Sequence, residues 1–279
     1  MHMRATVMIL TLSTFLLTIG VAAAAEPDKQ TVKWVVDAED TRCTLTRVAP
    51  GADELILKAI VDPLDNRTSI TLLFPGRQSD LVRSWEKAEL VLAPGGKRFQ
   101  GNAAPSHGES EPGYGIRFSG TDQEIPAVLA RSSGLAIWVK GRQIGAIQFS
   151  NAQAPMKALQ QCNDDYLRSV GIDPATIAAL QKRPQPLGDG SIAQWVFDED
   201  YPKDALQARA EGTTTIRFTV GIDGRAKDCA ILKSAGFKSL DLQTCYLFLS
   251  RGRFSPAIDK DGHPTEAPLI TPLRWILRH

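Results

Sequence analysis

EGTTTIRFTVGIDGR, residues 211–225, is the segment from which the architecture of the last third of this 279-residue chain is most easily inferred. Its apolar and polar side chains alternate, which predicts a half-buried strand over Thr213–Ile222. One face carries Ile216, Phe218, Val220 and Ile222, and the other carries Thr215, Arg217 and Thr219. Asp223-Gly224 is a typical tight hairpin turn. A second strand should therefore return over Arg225–Lys233, with Cys229 and Ile231 facing the core.

The flanking sequence predicts two helices and a third strand. Asp200-Tyr201-Pro202 should open a helix that continues to Arg209. Leu240–Leu249 reads as an amphipathic helix that buries Leu240, Thr244, Leu247 and Phe248. The last strand should run over Leu269–Leu277. Because Pro268 and Pro272 cannot donate to a ladder, we expect it at a sheet edge.

This ordered set resembles the C-terminal domain of the TonB family, over residues 195–279. The resemblance rests on Tyr201-Pro202, Glu211-Gly212, Asp223-Gly224-Arg225, Leu240-Asp241, Arg253-Phe254-x-Pro256-Ala257, Gly262 and the closing strand. It implies binding rather than catalysis, because TonB domains pair an exposed sheet edge with an extended peptide of an outer-membrane transporter. The expected partner-binding residues are Leu269, Ile270, Thr271, Leu273, Arg274 and Trp275 of the edge, and Asp198, Glu199 and Asp200 ahead of the Tyr-Pro element.

The region before this domain reads as mostly β. Short strands are predicted at Thr31–Val36, Cys43–Val48, Leu55–Val61, Ser69–Phe74, Ala88–Leu92, Tyr114–Phe118, Leu135–Val139 and Ile144–Phe149. Pro94–Pro112 is expected to be an exposed loop, and Asn151 should cap a helix that extends to Val170. The predicted fold therefore has two domains. An all-β, antiparallel sandwich or barrel-like domain with one helix spans 26–170, and an α+β domain with a small antiparallel sheet and two helices follows a linker at 171–194.

The N-terminus is typical of an exported protein. A positive start at His2 and Arg4, an apolar run and an Ala22–Ala25 site predict a signal peptide, residues 1–25, cleaved after Ala25. The alternative is an uncleaved inner-membrane anchor, because the run is almost long enough to span. Either reading places the folded domains in the periplasm.

Four cysteines in an exported chain favour disulfides. Three connectivities are open, and sequence position favours Cys43–Cys162 and Cys229–Cys245, one in each domain. Zinc is the alternative, but the chain has no C-x-x-C motif or Cys/His cluster, so no metal is expected.

Three features argue against proton-driven energy transduction of the TonB kind. No histidine lies within Ala5–Ala25, the linker is short, and a folded domain stands where the family has a proline-rich spacer. Contact with the inner-membrane proton-channel complex is expected only if the N-terminal segment is retained. The hypotheses are thus a TonB-like binder of an outer-membrane transporter peptide or another envelope protein, with a part in transmembrane transport, and a structural module of the cell envelope that homodimerises.

Enzymatic function is not indicated. Ser84-Trp85-Glu86-Lys87 matches S-x-x-K but lacks the companion elements of that enzyme class. No Ser/His/Asp set, paired carboxylates or cofactor motif stands out, so we expect no catalysis and no cofactor. A net charge of +1 gives no support for nucleic-acid binding.

Overall fold

The computed structural model describes residues 33–39, 42–48, 55–64, 67–75, 82–106, 113–150, 152–188 and 192–277. These residues belong to one compact unit, Val32–His279. The predicted signal segment lies outside them. Within the described ranges, no helix has both the length and the apolar character needed to cross a membrane.

The N-terminal region is a single antiparallel sheet, as the all-β prediction requires. Its strands are β1 (Trp34–Glu39), β2 (Arg42–Val48), β3 (Ile56–Val61), β4 (Thr68–Pro75), β5 (Glu86–Ala93), β6 (Lys97–Ser106), β7 (Gly113–Gly120), β8 (Gly134–Val139) and β9 (Arg142–Gln148). They are ordered β1-β2-β3-β4-β7-β6-β5-β8-β9. Two helices accompany the sheet, α1 (Ile125–Ala130) and α2 (Gln153–Ser169).

The predicted loop Pro94–Pro112 is wrong over most of its length, because β6 occupies Lys97–Ser106. Gly95 and Gly96 take positive φ values of 93° and 66° and supply the turn from β5. Gly101 is needed for packing, since a Cβ there would lie 2.5 Å from the Phe118 ring. The small and turn-forming residues that indicate a loop are therefore the ones that let β6 approach its neighbours.

The sheet curls until its two ends meet. The ring of Trp34 in β1 lies 5.5 Å from that of Phe149, which follows β9, in an edge-to-face contact. The enclosed core includes Leu45, Leu90 and Phe118. Helix α2 packs Met156 and Leu159 into it. The helix begins after Ala152, which makes no side-chain capping bond, while Asn151, the predicted cap, lies outside the described residues.

The segment after α2 and the C-terminal domain contain the remaining elements. They are α3 (Pro174–Ala178), β10 (Leu180–Lys182), β11 (Gln185–Pro186), α4 (Lys203–Ala208), β12 (Gly212–Val220), β13 (Ala226–Lys233), α5 (Lys238–Arg251), β14 (Phe254–Ser255), β15 (Ala257–Asp259), β16 (Pro264–Thr265) and β17 (Ala267–Trp275). Short 3-10 turns lie at Ile192–Trp195 and Asp198–Asp200. The main C-terminal sheet has the order β13-β12-β17. The expected small antiparallel sheet with two helices is thus present.

The predicted linker region pairs with C-terminal strands. β10 pairs with β15, and β11 pairs with β14, both antiparallel. These strands have two or three residues each, so their existence depends on partners about 70 residues further along the chain, as Gln185 paired with Ser255 illustrates. Local sequence carries no signal for such strands.

Helix α5 forms the cover of the C-terminal sheet. Leu240, Thr244, Leu247 and Phe248 are all buried, as predicted from helical spacing. Buried Asp241 fixes the first turn of α5, since its carboxylate accepts bonds from Thr214 Oγ1 at 2.8 Å and from the Ala235 amide at 2.8 Å. The Leu240-Asp241 element of the family pattern therefore has a structural role, because it holds the first turn of α5 to β12.

The hairpin differs from its prediction at two apolar positions. Ile222 is exposed because β12 ends at Val220 and the turn follows. Ile231 is exposed because β13 shifts register twice against β12, which changes its alternation. Asp228, at φ 55°, lies in one of these irregular positions.

Both predicted disulfides form. Cys43 of β2 is bonded to Cys162 of α2, and Cys229 of β13 is bonded to Cys245 of α5. Each bond fastens a helix to the sheet that it covers.

A third apolar cluster joins the two regions. It contains Leu64, Leu167, Ile172 and Ile177, and Ile270 of β17 packs against it. Beside it, Arg217 of β12 donates from Nη1 to the Val170 carbonyl at 2.5 Å, at the C-terminal end of α2, where a cation is favourable. The outer face of the C-terminal sheet therefore packs on the end of α2.

Candidate functional site

Strand β17 is an edge strand, as predicted from its prolines. It pairs with β12 in one unbroken antiparallel register, from Gly212 opposite Trp275 to Val220 opposite Ala267. In the sheet order it has no strand on its other side. Its outer backbone is therefore one of the two open edges of this sheet, the other being that of β13, and an open edge can accept an added strand.

The two prolines determine which backbone groups face outward. Alternate residues of an antiparallel strand direct both N–H and C=O to the same neighbour. Pro268 and Pro272 have no N–H, so the unbroken ladder to β12 is best satisfied when they point to the outer edge. On that edge only Ile270 and Arg274 keep an N–H, while all four of these residues present a C=O. The outer edge is thus rich in acceptors and poor in donors.

The six predicted edge residues divide into several environments. Leu269, Leu273 and Trp275 pack into the C-terminal core, and Thr271 is half-buried. Ile270 packs on the third apolar cluster. Arg274 is exposed. Among the predicted side chains, Arg274 is therefore the one best placed to meet a bound partner.

One end of the edge is more open than the other. On the outer face, Ile270 and its cross-strand neighbour Arg217 contact the end of α2, and Thr215 beside them is buried. Pro272, Arg274 and Ile276 are exposed. An added strand has most room along residues 272–276.

Trp275 fixes this open end and brings the acidic segment to it. Its Nε1 donates to Thr244 Oγ1 at 3.0 Å. Its ring lies 5.2 Å from that of Tyr201 in an edge-to-face contact. Tyr201 directly follows Asp198-Glu199-Asp200, so the two predicted parts of the site converge near the C-terminal end of β17.

Asp200 has a structural role within that acidic segment. Its carboxylate accepts bonds from Arg251 Nη1 at 2.5 Å and Nη2 at 2.8 Å, and from the Phe197 amide at 2.8 Å. The bond from Arg251 is the main cause that lowers the pKa of Asp200. Asp198 and Glu199 are exposed, whereas Asp200 is buried and paired with Arg251.

A groove of about 650 Å³ lies on the outer face of β5, β6 and β8. Ser84 and Lys87, the ends of the S-x-x-K match, both line it. Glu86, which stands between them, pairs with Lys140 at 2.7 Å. The groove is open to solvent, so it does not enclose these side chains as an active site would.

Asp259, Asp261 and His263 form a cluster that sequence reasoning overlooked. Their ligand atoms lie within 4.8 Å of one another, close enough for a cation. One Asp259 oxygen, however, accepts bonds from the amides of Asp261 and His263, at 2.9 and 2.8 Å. These bonds account for the cluster as the closing contact of the turn between β15 and β16.

Comparison with protein families identifies the C-terminal domain. Residues 198–277 match the model described as Gram-negative bacterial TonB protein C-terminal. The resemblance inferred from the sequence is confirmed for this domain, and the N-terminal sheet lies outside the matched span. No curated protein matches the chain.

Proposed function

We propose, from the premise that residues 198–277 form a TonB-type C-terminal domain, that this protein is a periplasmic binder of extended peptide segments. The partner is an outer-membrane transporter or another envelope protein, and the interaction serves transmembrane transport. The observation that carries the proposal is β17, a nine-residue strand that is paired on one side only. Binding by strand addition needs no catalytic group and no cofactor.

The geometry of the edge defines the peptide that fits. Because the outer edge presents more carbonyls than amides, a bound strand contributes mainly N–H donors, and prolines in the peptide weaken pairing. Contact should concentrate at residues 272–276, where the side chains are exposed. Arg274 favours an acidic residue in the peptide beside it, while Asp198 and Glu199 favour a basic residue at the end nearer Tyr201.

The direct test is a titration of the purified chain with synthetic N-terminal peptides of outer-membrane transporters, followed by fluorescence anisotropy. We expect saturable binding that weakens about tenfold in Arg274→Glu, a loss typical of a close charge pair. Arg225→Glu is the matched control, since Arg225 is an exposed arginine in the β12–β13 turn. Absence of binding at high micromolar peptide contradicts the proposal.

A second candidate is the homodimerising envelope module, favoured by an exposed apolar stripe on α5. Leu242, Tyr246 and Leu249 follow helical spacing and are 55%, 60% and 39% exposed. Sedimentation equilibrium separates the two functions. A stable dimer that ignores transporter peptides supports the module, and a monomer that binds them supports the peptide binder.

The proposed location depends on the N-terminal segment. We infer export with cleavage after Ala25 and domains at 26–170 and 195–279 joined through 171–194. N-terminal sequencing of the mature protein is the test. A chain beginning at Glu26 excludes its own membrane anchor, whereas retention of Met1 restores contact with the inner-membrane proton-channel complex as part of the function.

A further inference from the structure

The groove on the outer face of β5, β6 and β8 has the size of a ligand site. Its volume of about 650 Å³ lies within the range of ~300–1,000 Å³ that is usual for small-molecule sites. Its centre is a row across the three strands, in which Glu89 of β5 lies opposite Gln100 of β6 and Trp138 of β8. All three residues line the groove. A carboxylate, an amide and an aromatic ring therefore stand side by side on one face of the sheet.

The Trp138 ring is backed by Arg98 on the side away from the groove. The Arg98 guanidinium carbon lies 5.7 Å from the centre of the ring, and its Nη1 donates to Glu89 Oε2 at 2.5 Å. Arg98 is paired opposite Val91, two residues beyond Glu89 along β5. Lys87, which lines the groove, lies two residues from Glu89 in the other direction. The ring therefore has Arg98 on one side and the groove on the other.

The polar groups of the groove include both donors and acceptors. Gln100 donates from Nε2 to Glu89 Oε1 at 3.0 Å, which leaves the Gln100 carbonyl oxygen and one N–H for a ligand. Ser84 and Lys87 also line the groove, and in the part of the chain that the structure describes neither side chain has a hydrogen-bond or ion-pair partner. A ligand hydroxyl group can both donate and accept, so hydroxyl groups match this mixed lining.

The lining of the groove has no net charge. It contains the carboxylates of Glu86 and Glu89 and the ammonium groups of Lys87 and Lys140. Both carboxylates are already paired, Glu86 with Lys140 at 2.7 Å and Glu89 with Arg98. A cationic ligand would find no free carboxylate and would be repelled by Lys87, while an anionic ligand would meet two carboxylates. The charges therefore favour a neutral ligand.

A second tryptophan lies at the margin of the groove. Trp85 stands in the chain between Ser84 and Glu86, which both line the groove, and it is 63% exposed. The groove itself is open to solvent. An open groove with two aromatic residues suits a chain of several similar units better than one enclosed small molecule.

We propose that the groove binds a neutral oligosaccharide, with the apolar C–H face of one sugar ring against Trp138. The sugar hydroxyl groups bond to Glu89, Gln100 and Lys87. A sugar ring combines an apolar face with a rim of groups that donate and accept, and the groove presents the complementary combination. The groove is separate from the β17 edge, so this binding does not rest on peptide binding.

Titration calorimetry of the full mature chain tests the groove, with cellotetraose and N-acetylchitotetraose as neutral probes. The two probes share a chain of flat sugar rings and differ in the acetamido group. We expect saturable binding of at least one of them at millimolar concentrations. The comparison between the two then identifies the class of sugar.

Two variants test the residues that make the site. Trp138→Ala should weaken sugar binding at least about tenfold, because the stacking surface is lost. Gln100→Ala should weaken it about two- to tenfold, as expected for one hydrogen bond. Gln148→Ala is the matched control, since Gln148 is an exposed glutamine of the same sheet that does not line the groove. Because Gln100 is also exposed, its variant should keep the fold and remains informative if Trp138→Ala is unstable.

Two charged probes test the neutrality of the ligand. Choline is the cation that an aromatic face alone would favour, and tetragalacturonic acid is the anionic sugar that Lys87 alone would favour. Both should bind more weakly than the better neutral sugar. Tighter binding of either one overturns the proposal. It is also overturned if neither neutral sugar binds, if Gln100→Ala binds sugar as the wild type does, or if Gln148→Ala loses as much affinity as Gln100→Ala.

Discussion

At the scale of single residues, Asp200 shows how a charged residue that suggests binding can belong to the scaffold. The acidity of Asp198-Glu199-Asp200 is visible in the sequence, but its division into one buried and two exposed carboxylates depends on Arg251, 51 residues later. Arg47 shows a different difficulty. The structure buries it on the inner face of β2 together with Cys43 and Leu45, although a charged residue is ordinarily assigned to solvent.

We predict that Asp200→Asn destabilises the protein by about 1–2 kcal/mol at neutral pH, because it removes a charge-assisted pair whose arginine is partly solvated. Glu199→Gln, at an exposed neighbour, should be close to neutral. Urea unfolding measures both. An equal loss in the two variants would contradict the assignment of Asp200 to the scaffold.

The same pair predicts a pH dependence. The pKa of Asp200 is lowered in the folded state, chiefly by the Arg251 bond. Its contribution to stability is therefore complete above the ordinary aspartate pKa of about 4, and it is lost as the pH falls through the lowered value. The stability difference between the wild type and Asp200→Asn should shrink between pH 5 and strongly acidic conditions, at about pH 2. A stability difference that stays constant over that pH range would refute the bond from Arg251 as the cause of the lowered pKa of Asp200.

At the scale of elements, strands with regular alternation were predictable and strands made by distant pairing were not. β12 and α5 followed from local patterns. β6 was missed because the glycines and prolines in and around it indicate a loop, although Gly101 is there to accommodate the Phe118 ring. The outward orientation of alternate residues in β17 follows from chemistry that the sequence does contain, the missing N–H of Pro268 and Pro272.

That orientation gives a test on β17. Thr271→Pro should cost about 3 kcal/mol or more, because position 271 points to β12 and would lose a ladder bond. Pro272→Val, one residue away, should retain the fold, since it adds an N–H on the open edge. Chemical denaturation compares the two, and comparable losses in both would overturn the assigned orientation.

The added N–H has a second expected effect. Pro272→Val makes the edge more complete as a pairing template, so it should increase self-association. Light scattering across a concentration series measures this, with the wild type as the reference.

At the scale of the whole molecule, the two sheets are coupled through Arg217 and Ile270. This contact could not be predicted from the sequence, because Arg217 lies on the polar face of an alternating strand and its acceptor is a backbone carbonyl at the end of α2. The double variant Arg217→Met/Ile270→Ala should split one calorimetric unfolding transition into two. Arg225→Met is the control, and a single transition in the double variant would show that the sheets are coupled elsewhere.

The disulfides should differ in their effects on stability. In the chain-entropy model, the stabilisation by a disulfide grows with the logarithm of the number of residues in the loop that it closes. The separations are 119 residues for Cys43–Cys162 and 16 for Cys229–Cys245. Serine replacement of the first pair should cost about 2 kcal/mol more than replacement of the second. Denaturant unfolding of the two double variants tests this order, and the reverse order would contradict it.

The Cys43–Cys162 bond also sets how far the protein can extend under tension. A pull between the chain ends cannot draw out the 119-residue loop that the bond closes, which hides about 400 Å of contour length at ~3.3–3.6 Å per residue. In a force-extension experiment, the wild type should therefore stop short of the Cys43→Ser/Cys162→Ser variant by about that length. With the bond intact, most of the nine-stranded sheet is shielded from any load that reaches the C-terminal domain.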